Sequence, residues 1–128
     1  MTLVDTSAWV EALRSDGSEA VRRHVAELLT AGGAALCPMV VLELWNGAGD
    51  EEERAKIRRL VDELPSLEVT AETWELAASL AGACRTRGVT VPPTDLVIAA
   101  TARTHGAGLL HADRHFDLID ETEAGEAG

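Results

Sequence analysis

An α/β sandwich built on a short, mainly parallel sheet is the fold this sequence predicts, on three observations. Short apolar runs, Leu3-Val4, Ala34-Ala35-Leu36-Cys37 and Ala107-Gly108-Leu109-Leu110-His111, alternate with longer stretches of helical periodicity. The helical stretches open on capping residues and close on Gly or Pro. A chain of 128 residues suits one domain that buries its own core.

Taken in order, Leu3-Val4 runs into Asp5-Thr6-Ser7, a strand end followed by a helix cap, with a short helix from about Ala8 to Leu13. Asp16-Gly17-Ser18 makes a turn and a second cap; Val21, Val25, Leu28 and Leu29 then recur at helical spacing until Gly32-Gly33. Ala34 to Cys37 reads as a buried strand ended by Pro38, and Met39 to Trp45 is apolar except for Glu43. Asp50 caps the next helix, with Glu53 as capping-box partner and Ile57, Leu60, Val61 and Leu64 as its stripe before Pro65. Leu67-Glu68-Val69 alternates like a half-buried strand. Thr70 caps a long helix with Trp74, Ala77, Ala81 and Cys84 along one side, ending at Gly88. After Pro92-Pro93-Thr94, the run Asp95 to Ala100 is apolar nearly all round behind its first residue and predicts a central buried helix. Ala107 to His111 is the last core strand, followed by Ala112-Asp113. Residues 1–119 are read as the domain, and 120–128, with Asp120, Glu121, Glu123 and Glu126 among Gly and Ala, as a disordered acidic tail.

No apolar stretch approaches the roughly 18 to 20 residues that span a bilayer. Met-Thr-Leu-Val-Asp carries neither the basic nor the long apolar region of a signal peptide, so the expected location is cytoplasmic. Cys37 and Cys84 match no metal or redox spacing and are expected as buried thiols. A formal charge of −11 excludes binding of nucleic acid by a broadly basic surface. It suits divalent cations or a basic protein segment.

The informative residues are carboxylates: Asp5 after the first strand, Glu43 in an apolar segment and Asp95 at the mouth of the buried helix each stand where burial is costly, and Asp113 follows the last strand. Ligands of such sheets gather at the carboxyl ends of the strands, where Asp5 and Asp113 fall. Carboxylates brought together there repel one another, and a cation removes the conflict. Oxygen donors with no supporting Cys and no assigned His favour Mg²⁺ or Mn²⁺ over zinc or copper, and the matching chemistry is phosphodiester hydrolysis. Asp5, Asp95 and Asp113 are the candidate ligands, and Glu43 completes the candidate catalytic set. Each has a plainer alternative: Asp5 as a helix cap, Glu43 as an ion-pair partner of arginine, Asp95 as a charge at a helix N-terminus beside a Thr94 cap, Asp113 as a turn residue. His111 and His115 flank Asp113 but are set aside as core or rim histidines. Trp9, Trp45 and Trp74 read as core or interface anchors, and Arg114 as a candidate phosphate contact.

Four segments carry a resemblance: Val4-Asp5-Thr6-Ser7; Val41-Leu42-Glu43-Leu44 with Gly47-Ala48; Pro93-Thr94-Asp95 through Ala102; and Leu109-Leu110-His111-Ala112-Asp113-Arg114-His115-Phe116. In that order and spacing the chain resembles PIN-domain ribonucleases, in particular the VapC-type toxins of bacterial toxin–antitoxin pairs. The resemblance implies a PIN-like three-layer α/β/α sandwich and a Mg²⁺- or Mn²⁺-dependent endoribonuclease with Asp5, Glu43, Asp95 and Asp113 as its acidic cluster. It further implies Asp117 as an accessory acid, Thr6 or Ser7 beside the metal water, a homodimer, and a cognate antitoxin covering the active-site groove. One departure is His111, where many relatives carry Thr or Ser, which leaves the hydrogen bonding around Asp113 open. Two rival readings are a non-catalytic PIN-fold module that binds metal or protein and a phosphoacceptor receiver domain. The receiver fits badly, because the chain's only lysine, Lys56, lies on a mid-chain amphipathic helix.

Overall fold

The computed structural model describes the backbone of residues 1–127 and the side chains of residues 1–123. The element order is β1 (Thr2–Val4), α1 (Thr6–Leu13), α2 (Glu19–Ala31), β2 (Ala34–Ala35), α3 (Pro38–Gly47), α4 (Glu51–Glu63), α5 (Ala71–Thr86), α6 (Pro93–Thr104), β3 (Gly108–Leu110) and α7 (Arg114–Ala127). Three strands form one parallel sheet in the order β2-β1-β3, with Leu3 opposite Ala35 on one side and Leu109 on the other. Successive strand residues point to opposite faces. Leu3 and Val4 are both fully buried, so helices cover both faces of β1 and the architecture is the α/β/α sandwich expected.

Local chemistry sets the helix ends. Ser18 accepts from Val21 N at the start of α2, and Gly32, with φ of 72°, turns its N–H back to the carbonyls of Leu28 and Leu29 at the end. Asp50 accepts from Glu53 N (2.8 Å), but Glu53 reaches back to Gly49 N (2.6 Å) rather than to Asp50, so the expected box is displaced by one residue. α1 begins at Thr6, two residues before the expected start, because the Asp5 side chain supplies the cap itself. α6 likewise begins before Thr94, on Pro92 and Pro93.

Three further expectations are corrected. Leu67-Glu68-Val69 is no strand: Ser66 makes one isolated bridge to Leu36, and the Glu68 carbonyl is met by the His105 ring at 2.7 Å instead of by a neighbouring strand. The buried side of α5 is Thr73, Ala77, Leu80 and Cys84, so Trp74 faces outward and is no core anchor. Thr73 tolerates full burial because its hydroxyl meets those of Thr70 and Thr104. The acidic segment from residue 120 is helical as far as Ala127, with Thr122 buried and Asp120 and Glu123 both paired to Arg103. Gly128 and the side chains beyond residue 123 lie outside the described residues.

α6 runs through the middle of the domain, with every residue from Asp95 to Ala102 buried. Cys37 and Cys84 are buried free thiols. Among the described residues, no helix is long and apolar enough to cross a membrane. Ile98 is fully buried on α6. Ile98→Ala is expected to lower unfolding free energy in urea by about 2 to 5 kcal/mol while leaving the midpoint transition cooperative.

Candidate active site

Parallel pairing of β1 with β3 puts the loops that follow them side by side, and Asp5 N donates to Leu110 O (2.9 Å) where the two strands end. Asp5 therefore stands beside the 111–113 loop. It is 2% exposed, and its Oδ2 accepts from Ser7 N (3.0 Å) and Ser7 Oγ (2.5 Å). The same Ser7 hydroxyl accepts from Ala112 N (2.9 Å) and so ties the two loops together. The other carboxylate oxygen, Asp5 Oδ1, is buried and has no hydrogen-bond partner.

The remaining acids arrive from helices. Glu43, on α3, is half-buried and accepts from Thr6 Oγ1 (2.8 Å). Asp95 lies in the first turn of α6, where the helix dipole favours negative charge, and is buried. Asp113 precedes α7 and accepts from His115 N (2.9 Å), while its own N–H donates to His111 Nδ1 (3.4 Å). His111 thus serves as the acceptor for the Asp113 backbone and also packs on Phe116, with ring centroids 4.9 Å apart.

The charges of Asp5 and Asp113 act on both Glu43 and Asp95 across this site. Burial, then the negative charges of Asp113 and Asp5, raise the Asp95 carboxyl from 3.8 to about 6, against a lowering by His115. Burial also raises Glu43, with Asp5 and Asp113 adding to the shift and the Thr6 hydrogen bond opposing it. Among the described residues no Lys or Arg forms an ion pair with any of the four, so the arginine partner considered for Glu43 is replaced by Thr6.

The donor set fits a divalent cation. Asp95, Asp113 and His115 each offer a ligand atom, and these atoms lie within 4.8 Å of one another. The orphaned Asp5 Oδ1 supplies a further oxygen whose burial nothing else offsets. His115 was not among the expected site residues; its signal was only a spacing of two residues from Asp113, which any rim histidine would share. Asp117 is exposed and faces His111 Nε2 at 3.7 Å, not the cluster. Beside Glu43 opens a mostly apolar cleft of about 260 Å³, lined among others by Thr6, Val10, Arg14, Leu44 and Lys56. Arg114 is exposed beside Asp113.

The PIN domain family model matches residues 2–122. The chain belongs to the PIN domain family. Ribonuclease VapC11 of Mycobacterium tuberculosis is 43% identical over 124 residues, 93% of this chain and 91% of that protein. Ribonuclease VapC51 of the same organism is 34% identical over 120 residues, 91% and 83% of the two chains. Among solved structures, DNA-bound VapBC from Salmonella typhimurium superposes with a TM-score of 0.76 at 19% identity, covering 91% of this chain and 89% of that one. FitAcB from Neisseria gonorrhoeae gives 0.73 at 21%, covering 94% of each. This PIN domain thus carries its acids on the fold those proteins share.

The raised Asp95 value sets a pH dependence for metal-free protein. A carboxyl that titrates higher in the folded chain than in the unfolded one binds more protons when folded, so stability falls as pH rises from about 4 through about 6. In EDTA, the melting temperature is expected to drop over that window, and Asp95→Asn is expected to flatten the drop. Thermal melts at stepped pH measure both.

Proposed function

We propose that this PIN domain is a divalent-metal-dependent endoribonuclease that hydrolyses RNA phosphodiester bonds, and that it is the toxin of a VapBC-type toxin–antitoxin pair. The observation that carries this reading is the buried, unpartnered Asp5 Oδ1 among three other carboxylates, an arrangement that costs stability unless a cation occupies it. Relatives at 43% and 34% identity bear the name ribonuclease, which supports RNA as the substrate.

Asp5, Asp95 and Asp113 would hold Mg²⁺ or Mn²⁺. When bound, the ion supplies Lewis-acid stabilisation of phosphate oxygens and lowers the pKa of an attacking water. The chain's own groups do the rest. Thr6 fixes Glu43 through Oε1 and leaves Oε2 to orient a water or carry a proton, a role that a carboxyl raised by burial performs nearer neutral pH. Ser7 holds Asp5 and the 111–113 loop in register. Because the whole chain carries −11, phosphate must be met by local cations, and Arg114 beside Asp113 with Arg14 and Lys56 in the cleft are the candidates.

The partners follow from the same surface. A basic, amphipathic antitoxin segment suits an acidic site that adjoins an apolar cleft, and the solved relatives include VapBC complexes. A homodimer and a cytoplasmic location complete the reading.

The test compares wild type with Asp5→Asn and Glu43→Gln, each confirmed folded, on RNA with Mg²⁺, Mn²⁺ or EDTA. Cleavage is expected with either ion, none in EDTA, and a loss of at least about 100-fold in Glu43→Gln. Asp5→Asn is expected at the EDTA background. Equal activity of wild type and Asp5→Asn would exclude the site. Metal binding by wild type without cleavage of any RNA would favour a non-catalytic module.

A further inference from the structure

His115 sits in the first turn of α7, and its ring nitrogen Nδ1 is 2.9 Å from Asp113 Oδ1 and 3.1 Å from Asp95 Oδ2. A protonated ring in an ion pair would aim its N–H at one of those oxygens. Nδ1 instead makes no hydrogen bond, although both oxygens are near enough, so the direction is wrong for either. A shared cation gives this pattern. Two ligands at right angles around an octahedral ion, each about 2.1 Å from it, stand about 3 Å apart, and their lone pairs point at the ion rather than at each other. The separations of 2.9 and 3.1 Å and the missing hydrogen bond agree with that geometry.

A second, independent sign is Asp5 Oδ1, 2% exposed with its residue and equally without a donor. It stands at the end of β1, which the Ser7 hydroxyl ties to the 111–113 loop, so unpartnered atoms from two different elements occur at one edge of the sheet. The other nearby imidazole is engaged elsewhere: His111 Nδ1 accepts from Asp113 N, and its Nε2 is turned to Asp117.

We propose that His115 is a direct ligand, through Nδ1, of the divalent cation held by Asp95 and Asp113, which makes this a mixed nitrogen–oxygen site that prefers Mn²⁺ to Mg²⁺. Imidazole is a good donor to transition-metal ions, whereas Mg²⁺ keeps oxygen ligands and water. The inference rests on the metal-dependent reading above and deepens it by naming a ligand and the ion it selects.

The experiment uses the full chain, stripped of metal and without RNA, so it reads the ligand directly. Mn²⁺ is added, and pulsed EPR records nitrogen modulation from a coordinated imidazole. Wild type and His111→Ala are expected to show it; His115→Gln is expected to lose it. In parallel, Mn²⁺/Mg²⁺ competition is expected to give at least about a tenfold preference for Mn²⁺ in wild type and a preference within about threefold in His115→Gln. Circular dichroism confirms folding, and His115→Asn replaces His115→Gln if the latter does not fold. Absence of nitrogen coupling in wild type, its persistence in the His115 variant, its loss in His111→Ala alone, or an unchanged metal preference would each overturn the proposal. RNA cleavage is scored separately. Nitrogen coupling without cleavage leaves His115 a ligand and removes the ribonuclease reading, while cleavage without coupling does the reverse.

Discussion

Negative charge confined where water is scarce is the constraint around which this domain is organised. Asp5 is almost wholly buried at the end of β1, and only one of its two oxygens is satisfied by the protein. Asp95 comes to the same place from the first turn of a helix buried on all sides, and its carboxyl is driven to about 6 by burial and by its acidic neighbours. A core free to choose by stability alone would replace these groups with apolar ones. The fold keeps them and spends hydrogen bonds on holding them still.

That holding is specific. Ser7 donates to Asp5 and accepts from Ala112, so a single hydroxyl couples the loops after β1 and β3. Thr6, its neighbour, orients Glu43 across from α3. Asp113 is fixed by the His115 backbone on one side and through its own N–H by His111 on the other. Parallel pairing is what makes this possible, because it delivers both loops to one edge of the sheet. The chemistry is therefore placed by rigid elements, with flexible side chains contributing little to its geometry.

Much of this was readable in the chain because Asp5, Glu43 and Asp95 broke apolar patterns and Asp113 fell at the end of the last strand. The first three stood out as charges where burial was expected, and the structure brings all four within electrostatic reach. The caps at Ser18, Asp50 and Thr70 were legible for a similar reason, since capping is local chemistry. What escaped depends on tertiary partners. Leu67 to Val69 alternates like a strand but finds only a one-residue bridge, Trp74 yields its buried place to Thr73 because Thr104 satisfies that hydroxyl, and the acidic segment after residue 119 stays helical with Arg103 bridging two of its acids. His115 escaped because a histidine beside a turn looks ordinary until Asp95 is known to face it.

The claim on which all this turns is that a cation belongs among these carboxylates. The most direct measurement is an anomalous difference map from crystals of the full chain grown with Mn²⁺. The account predicts a peak within bonding distance of Asp95 and Asp113 and adjoining Asp5 Oδ1. A fully ordered site with no peak there, or a peak only at some other surface, would contradict it.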